Sequence, residues 1–234
     1  MKNKNFKLVV KILLVIFLTL LMCENYVEHY LGNQTAGRIT HAVIGYMTVA
    51  LIVLHLISNI SFFKSLKKNI TPYKISLIIV NCLLFIAILG LMVSGMLIMI
   101  EKVFKVASLN GIPTVLHSVF TYWLYFVLGF HIGLNIKVSK NLEGYILSGL
   151  SLGYGIFAFI ILQYYRVMFV TTRQYPLVYS MPSLGVIPGI LLQLLLLPGI
   201  LLIGYGITTI IRMSLIKKNN IEQKENNIEE KEED

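Results

Sequence analysis

Apolar positions run along this chain in six long blocks broken by short polar stretches. The pattern predicts membrane-spanning helices near 7–27, 37–62, 74–100, 114–136, 144–165 and 186–212. Each block can cross a hydrocarbon layer about 30 Å thick at a helical rise of ~1.5 Å per residue. In the first, Lys2, Lys4 and Lys7 precede an apolar run from Leu8 to Cys23 that looks like a secretion signal. Lys11 interrupts the run and no A-x-A site follows, so an uncleaved anchor helix is expected. Glu24, Glu28 and His29 break its outer end, and His29 reads as an exposed or interfacial side chain. Gly90, Gly95, Gly149, Gly153 and Gly155 are expected to let neighbouring backbones approach, and Pro188 and Pro198 to sharpen and kink the last span.

Within so apolar a pattern the polar exceptions stand out. The second block, ITHAVIGYMTVALIVLHLISN, carries His41 and His55; the fourth, VLHSVFTYWLYFVLGFHIGLN, carries His117 and His131. Members of each pair are fourteen residues apart. At ~100° per residue the pair falls only about 40° short of four full turns, on one helix face, with a rise of ~21 Å. Ionisable side chains inside a membrane are costly and usually functional. If the two helices run parallel and face one another, His41 meets His117 and His55 meets His131, and two stacked haems with paired axial imidazoles suit that arrangement.

Other chemistry fits the spacing less well. Structural zinc wants four donors at one point, not two levels ~21 Å apart. A proton or cation path lined by histidine, and purely structural polar contacts, stay open as rivals. An axial imidazole needs an acceptor for its second N–H, and backbone carbonyls or the hydroxyls of Thr40, Ser58 or Ser118 are candidates. Gly45, one turn from His41, and Gly129 and Gly133, flanking His131, are candidates for seating a flat macrocycle, or else ordinary helix-packing residues. Arg38 is a candidate partner for a haem propionate, or a membrane-edge anchor. Tyr122, Trp123, Tyr125 and Phe126 read as packing and interfacial anchoring.

Composition agrees with this class. Hydrophobic residues are 56% of the 234, against 13% charged, which excludes an ordinary soluble domain. The net charge of +9 does not point to nucleic acid, because no basic face with interleaved aromatics occurs; the lysines sit at the ends of apolar blocks. Lys2, Lys4, Lys7, Lys11, Lys64, Lys67, Lys68, Lys74, Lys137, Lys140, Arg212, Lys217 and Lys218 fall on one side, and Arg38, Lys102, Lys105, Arg166 and Arg173 on the other. This bias predicts both termini in the cytoplasm. Cys23 and Cys82 lie at different depths, so no disulfide is expected between them. The expected organisation is a four-helix membrane bundle over 1–142, two further spans over 143–218, and a disordered acidic tail over 219–234. The segment RVMFVTTRQYPLVYSMPSLG reads as an interfacial loop, or an outer docking surface.

Several stretches resemble the flavinylation-associated cytochrome family of bacterial membrane proteins: LTLLMCENY, ITHAVIGYMTVALIVLHLISNISFFKSL, LMVSGMLI, LHSVFTYWLYFVLGFHIGLNI and YGIFAFI. The likeness covers about residues 10–165. Where that family usually has glutamate after its first ligand this chain has Ala42, and where it closes its fourth span with His-Trp this chain has Leu134-Asn135. The resemblance implies an all-α integral membrane fold with two b-type haems that passes electrons across the bacterial cytoplasmic membrane, often toward an extracytoplasmic protein carrying covalent flavin. On this expectation His41, His117, His55 and His131 are the iron ligands, and a quinol or a cytoplasmic-side dehydrogenase is the donor. No G-x-G-x-x-G or P-loop supports chemistry of the chain's own, so an electron-transfer subunit is expected rather than a self-contained enzyme. The alternatives are direct oxidoreduction of quinone or metal ions, and the histidine-lined transporter.

Overall fold

The computed structural model describes residues 4–31, 34–61, 71–106, 108–136, 142–161, 164–169 and 198–214, the side chains of 22–35 and 164 excepted. All regular structure in them is helical: α1 (Lys4–Leu31), α2 (Gln34–Ser58), α3 (Pro72–Ile98), α4 (Ile112–Asn135), α5 (Leu142–Ile161), the short α6 (Tyr164–Met168) and α7 (Pro198–Ser214). Four segments are long and apolar enough to cross a membrane: Ala36–Ser58, Pro72–Val103, Ile112–Asn135 and Leu142–Ile161. Large apolar side chains such as Val53, Phe85, Val93, Leu150 and Phe157 stay exposed on these helices. Water would penalise such surfaces and lipid would not. The chain is a multi-pass helical membrane protein.

Helix starts and stops follow local chemistry. The Thr71 side chain accepts the Lys74 amide at 3.3 Å and Pro72 opens α3, a position where its missing N–H costs nothing. Beyond Ile98 the helix widens into a π turn, Met99–Val103, and Phe104 N donates to Met99 O at 3.0 Å. Glu101 Oε1 accepts from Lys102 Nζ at 3.0 Å and from Gly111 N at 3.3 Å, tying the turn to the start of α4. Gly111 has φ +73°, a left-handed conformation that glycine adopts without steric cost, and this reverses the chain into Ile112–Pro113.

Two helical hairpins, α1–α2 and α3–α4, form one part of the bundle. The Tyr73 hydroxyl donates to Leu134 O at 2.8 Å, joining the start of α3 to the end of α4. Helix α7 runs beside α4 and α5 on a bed of glycines. A Cβ at Gly204 would lie 2.5 Å from Phe126 O, and one at Gly155 would lie 2.6 Å from Gly199 O. Gly133 faces Tyr205 and Thr208, and Gly129 faces the Leu201 backbone. Lipid tails are as apolar as leucine, so close backbone approach and dispersion hold such helices together. At one end Arg212 Nη1 donates to the carbonyls of Gly133, Leu134 and Ile136 at 3.3, 3.1 and 2.7 Å, satisfying oxygens that α4 leaves open. Under α4, Tyr122 and Tyr125 are buried with Val167, Met168 and Ile200, and Trp123 Nε1 donates to Met168 O at 3.1 Å.

Several expectations change. The first helix continues to Leu31, past the polar residues that were to end it, because a helical backbone satisfies its own amides whatever its side chains. The fifth span ends at Ile161, and a separate short helix follows. Gly149 and Gly153 face open space; of that trio only Gly155 meets a neighbouring helix closely. Pro198 stands at the first described residue of α7. The stretch 186–197, with Pro188, lies outside the described residues. So do most of the segment after Met168 and the acidic tail, together with the side chains of His29 and Cys23. Cys82 is a free, exposed thiol.

The glycine bed makes a prediction. Gly204→Ala drives a methyl group against Phe126 O and should destabilise the fold by about 1–3 kcal/mol. The checking measurement is the thermal unfolding midpoint in detergent. Gly149→Ala, which has nothing within 4 Å of the new methyl, should leave the midpoint unchanged or raise it.

Candidate functional site: paired histidines between α2 and α4

The parallel arrangement of α2 and α4 brings the first histidine of each together. The His41 and His117 rings lie with centroids 6.1 Å apart and planes inclined at 69°. Fourteen residues further along the same two helices stand His55 and His131. Among the described ring contacts, His41–His117 is the one between two histidines. Midway between the levels, Thr48 on α2 and Leu124 on α4 are both buried, each seven residues from the histidines of its own helix.

Helix α3 positions the α4 imidazoles. The Ser94 hydroxyl donates to Gly90 O at 2.6 Å, which leaves its oxygen to accept from His117 Nδ1–H at 3.0 Å. Asn81 Oδ1, which can only accept, takes the His131 Nδ1–H at 3.0 Å. In both rings Nδ1 then carries the proton and Nε2 keeps its lone pair, the form in which an imidazole binds a metal. Gly95 lies against the His117 ring, where an added Cβ would sit 3.5 Å from Cε1. Just past the end of α2, Asn59 Nδ2 donates to His55 O at 2.8 Å and lies 3.5 Å from His55 Nε2, while Asn59 Oδ1 accepts from Lys7 Nζ at 3.4 Å.

The acceptors anticipated on α2 and α4 themselves are not the ones used. Thr40, Ser58 and Ser118 donate to Ala36, His55 and Thr114 carbonyls, their own helix backbone. A hydroxyl inside a helix reaches the preceding turn more readily than a ring a turn away. Asn81 and Ser94 lie on a helix without histidine, so the histidine spacing gives no sign of them. The available signal was a lone amide within the apolar run SLIIVNCLLFIAIL, a group that hydrocarbon penalises unless it finds a partner.

Of the other candidate residues, Gly45 has nothing within 4 Å of an added Cβ, so space is open beside it one turn from His41. Gly129 and Gly133 face α7, and close helix packing accounts for their size. Arg38 lies one turn before His41 on α2.

The donor set restricts what can bind. Among the described residues no three His, Cys, Asp or Glu side chains converge, so a metal that takes three or four protein ligands finds no site there. A metal bound at roughly 2 Å by each of two imidazoles, with roughly 1 Å more to each ring centre, separates the centres by about 6 Å. His41 and His117 have that separation. Two opposed imidazoles suffice for haem iron, which brings its own equatorial nitrogens. This level therefore offers the two-imidazole donor set that haem iron takes.

No family model, no curated protein and no solved structure matches this chain. Fold and site by themselves define a multi-pass helical membrane protein with one histidine pair, His41 and His117, in contact across two parallel helices.

The hydrogen bonds from α3 predict a ring tautomer. In protein labelled with 15N-histidine, His117 and His131 should each show Nδ1–H as the dominant neutral form. Ser94→Ala should release His117 and Asn81→Leu should release His131, each removing a hydrogen bond of about 1 kcal/mol. Equal tautomer populations in the unmodified chain would contradict the assignment.

Proposed function

We propose that this protein is a transmembrane electron-transfer subunit holding two b-type haems between α2 and α4. The reading takes the chain as six spans with the haem bundle in the first four, and both termini in the cytoplasm as the lysine distribution implies. His41 and His117 ligate the outer haem, and His55 and His131 the inner one. The observation that carries it is the opposed His41–His117 pair at 6.1 Å, together with the Ser94 and Asn81 hydrogen bonds that leave Nε2 of both α4 histidines available.

The haem iron supplies one-electron exchange at each level. The chain's own residues hold the imidazoles in place, keep water away with buried Thr48 and Leu124, and set the two levels ~21 Å apart along the bundle. Electrons come from a quinol or a cytoplasmic-side dehydrogenase and leave to an extracytoplasmic protein carrying flavin. The family resemblance, not the geometry, supports the flavin-carrying acceptor. Arg38 serves a propionate of the outer haem on this reading.

Membranes from cells overproducing the protein should show a b-type reduced-minus-oxidised difference spectrum. His41→Ala or His117→Ala should remove about half of it, and His55→Ala or His131→Ala the other half, because each haem needs both axial ligands. A flat difference spectrum sinks the proposal. Full signal in the His41→Ala variant would dismiss the outer site alone.

A further inference from the structure

Helix α1 contributes no proposed axial ligand, yet it carries three lysines, Lys4, Lys7 and Lys11, in a run whose spacing puts them on one face. Lys4 and Lys11 are exposed, and Lys7, partly buried, reaches the His55 end of α2. Lys7 Nζ donates to Asn59 Oδ1 at 3.4 Å, and Asn59 in turn donates to the backbone of His55. Lys11 follows Lys7 by one helical turn, so its side chain leaves α1 on the same side. Two ammonium groups at the edge of hydrocarbon call for anions. Among the described side chains the only acids are Glu101 and Glu143. Glu101 is paired with Lys102 at the opposite end of α3, and Glu143, at the start of α5, makes no ion pair among the described residues.

We propose that Lys7 and Lys11, with Asn59 steering Lys7, form an anion site that takes the carboxylates of the haem seated between His55 and His131. The inference rests on the haem reading above and extends it from axial ligation to the edge of the macrocycle. Carboxylates face two cations there, and charge-assisted hydrogen bonds are stronger than those between neutral groups. The same cations would also suit the phosphate of a lipid headgroup, so the test separates the two sources.

The full-length protein, purified in uncharged detergent and depleted of haem, is titrated with haem and with haem dimethyl ester, which lacks the carboxylate charges. Lys7→Gln/Lys11→Gln should bind haem at the inner level about tenfold more weakly while the outer level fills normally, which also shows that the fold is intact. In the unmodified chain the ester should suffer the same tenfold loss. In the double variant the ester and haem should bind alike, and Lys7→Arg/Lys11→Arg should restore tight haem binding. Equal affinity for ester and haem in the unmodified chain overturns the site. A lysine effect confined to bilayers containing anionic lipid, with none from the ester, assigns the anion to a headgroup and also overturns it. An unmodified chain that takes up no haem removes the underlying reading as well, and is told apart because neither level then fills.

Discussion

An imidazole placed in hydrocarbon must have its polar atoms satisfied, and much of this structure follows from how that is done. Helix α3 supplies the acceptors, Ser94 for His117 and Asn81 for His131. For both to reach their rings, α3 must lie antiparallel to α4 along most of its length, as the Tyr73 bond to Leu134 O also requires. The turn that makes this possible is the π-widened end of α3 and the left-handed Gly111, braced by Glu101. A helix with no histidine of its own thereby decides which nitrogen of each α4 ring keeps its lone pair free.

A second constraint acts on the other side of α4. Lipid offers no drive to press apolar helices together, so α7 is held by contact so close that side chains beyond glycine do not fit. Gly129 and Gly133 belong to that contact, and Arg212 seals its end on the α4 carbonyls. Helix α4 therefore has two working faces: one of glycine against α7, the other presenting His117 and His131 toward α2 and α3. Because 129 and 133 flank 131 at a spacing of two, they point away from the side on which His131 lies.

Much of the site was legible in the linear order of residues. Equal fourteen-residue spacing put each histidine pair on one face, and parallel running of the second and fourth spans gave His41 its mate, His117. The partners of the rings were not legible in the same way. Asn81 stands 50 residues from His131 and Ser94 stands 23 from His117, and no periodicity within one helix relates them. Glycine is ambiguous in sequence for the same reason: its use depends on what approaches it, and at Gly45 nothing does, while at Gly133 Thr208 does.

The sequence by itself determined that the chain is helical and lives in lipid, and that four imidazoles stand at two depths. Those properties follow from residue type and from the fixed 3.6-residue turn of a helix, which act along the chain without reference to neighbours. Only the tertiary structure decided that His41 and His117 come to 6.1 Å, that α3 sets the ring tautomers, and that Lys7 reaches Asn59 beside His55. Those outcomes depend on the rotation of each helix about its own axis. In a bilayer that rotation is settled by packing and by the pairing of polar groups between helices, not by any one helix alone.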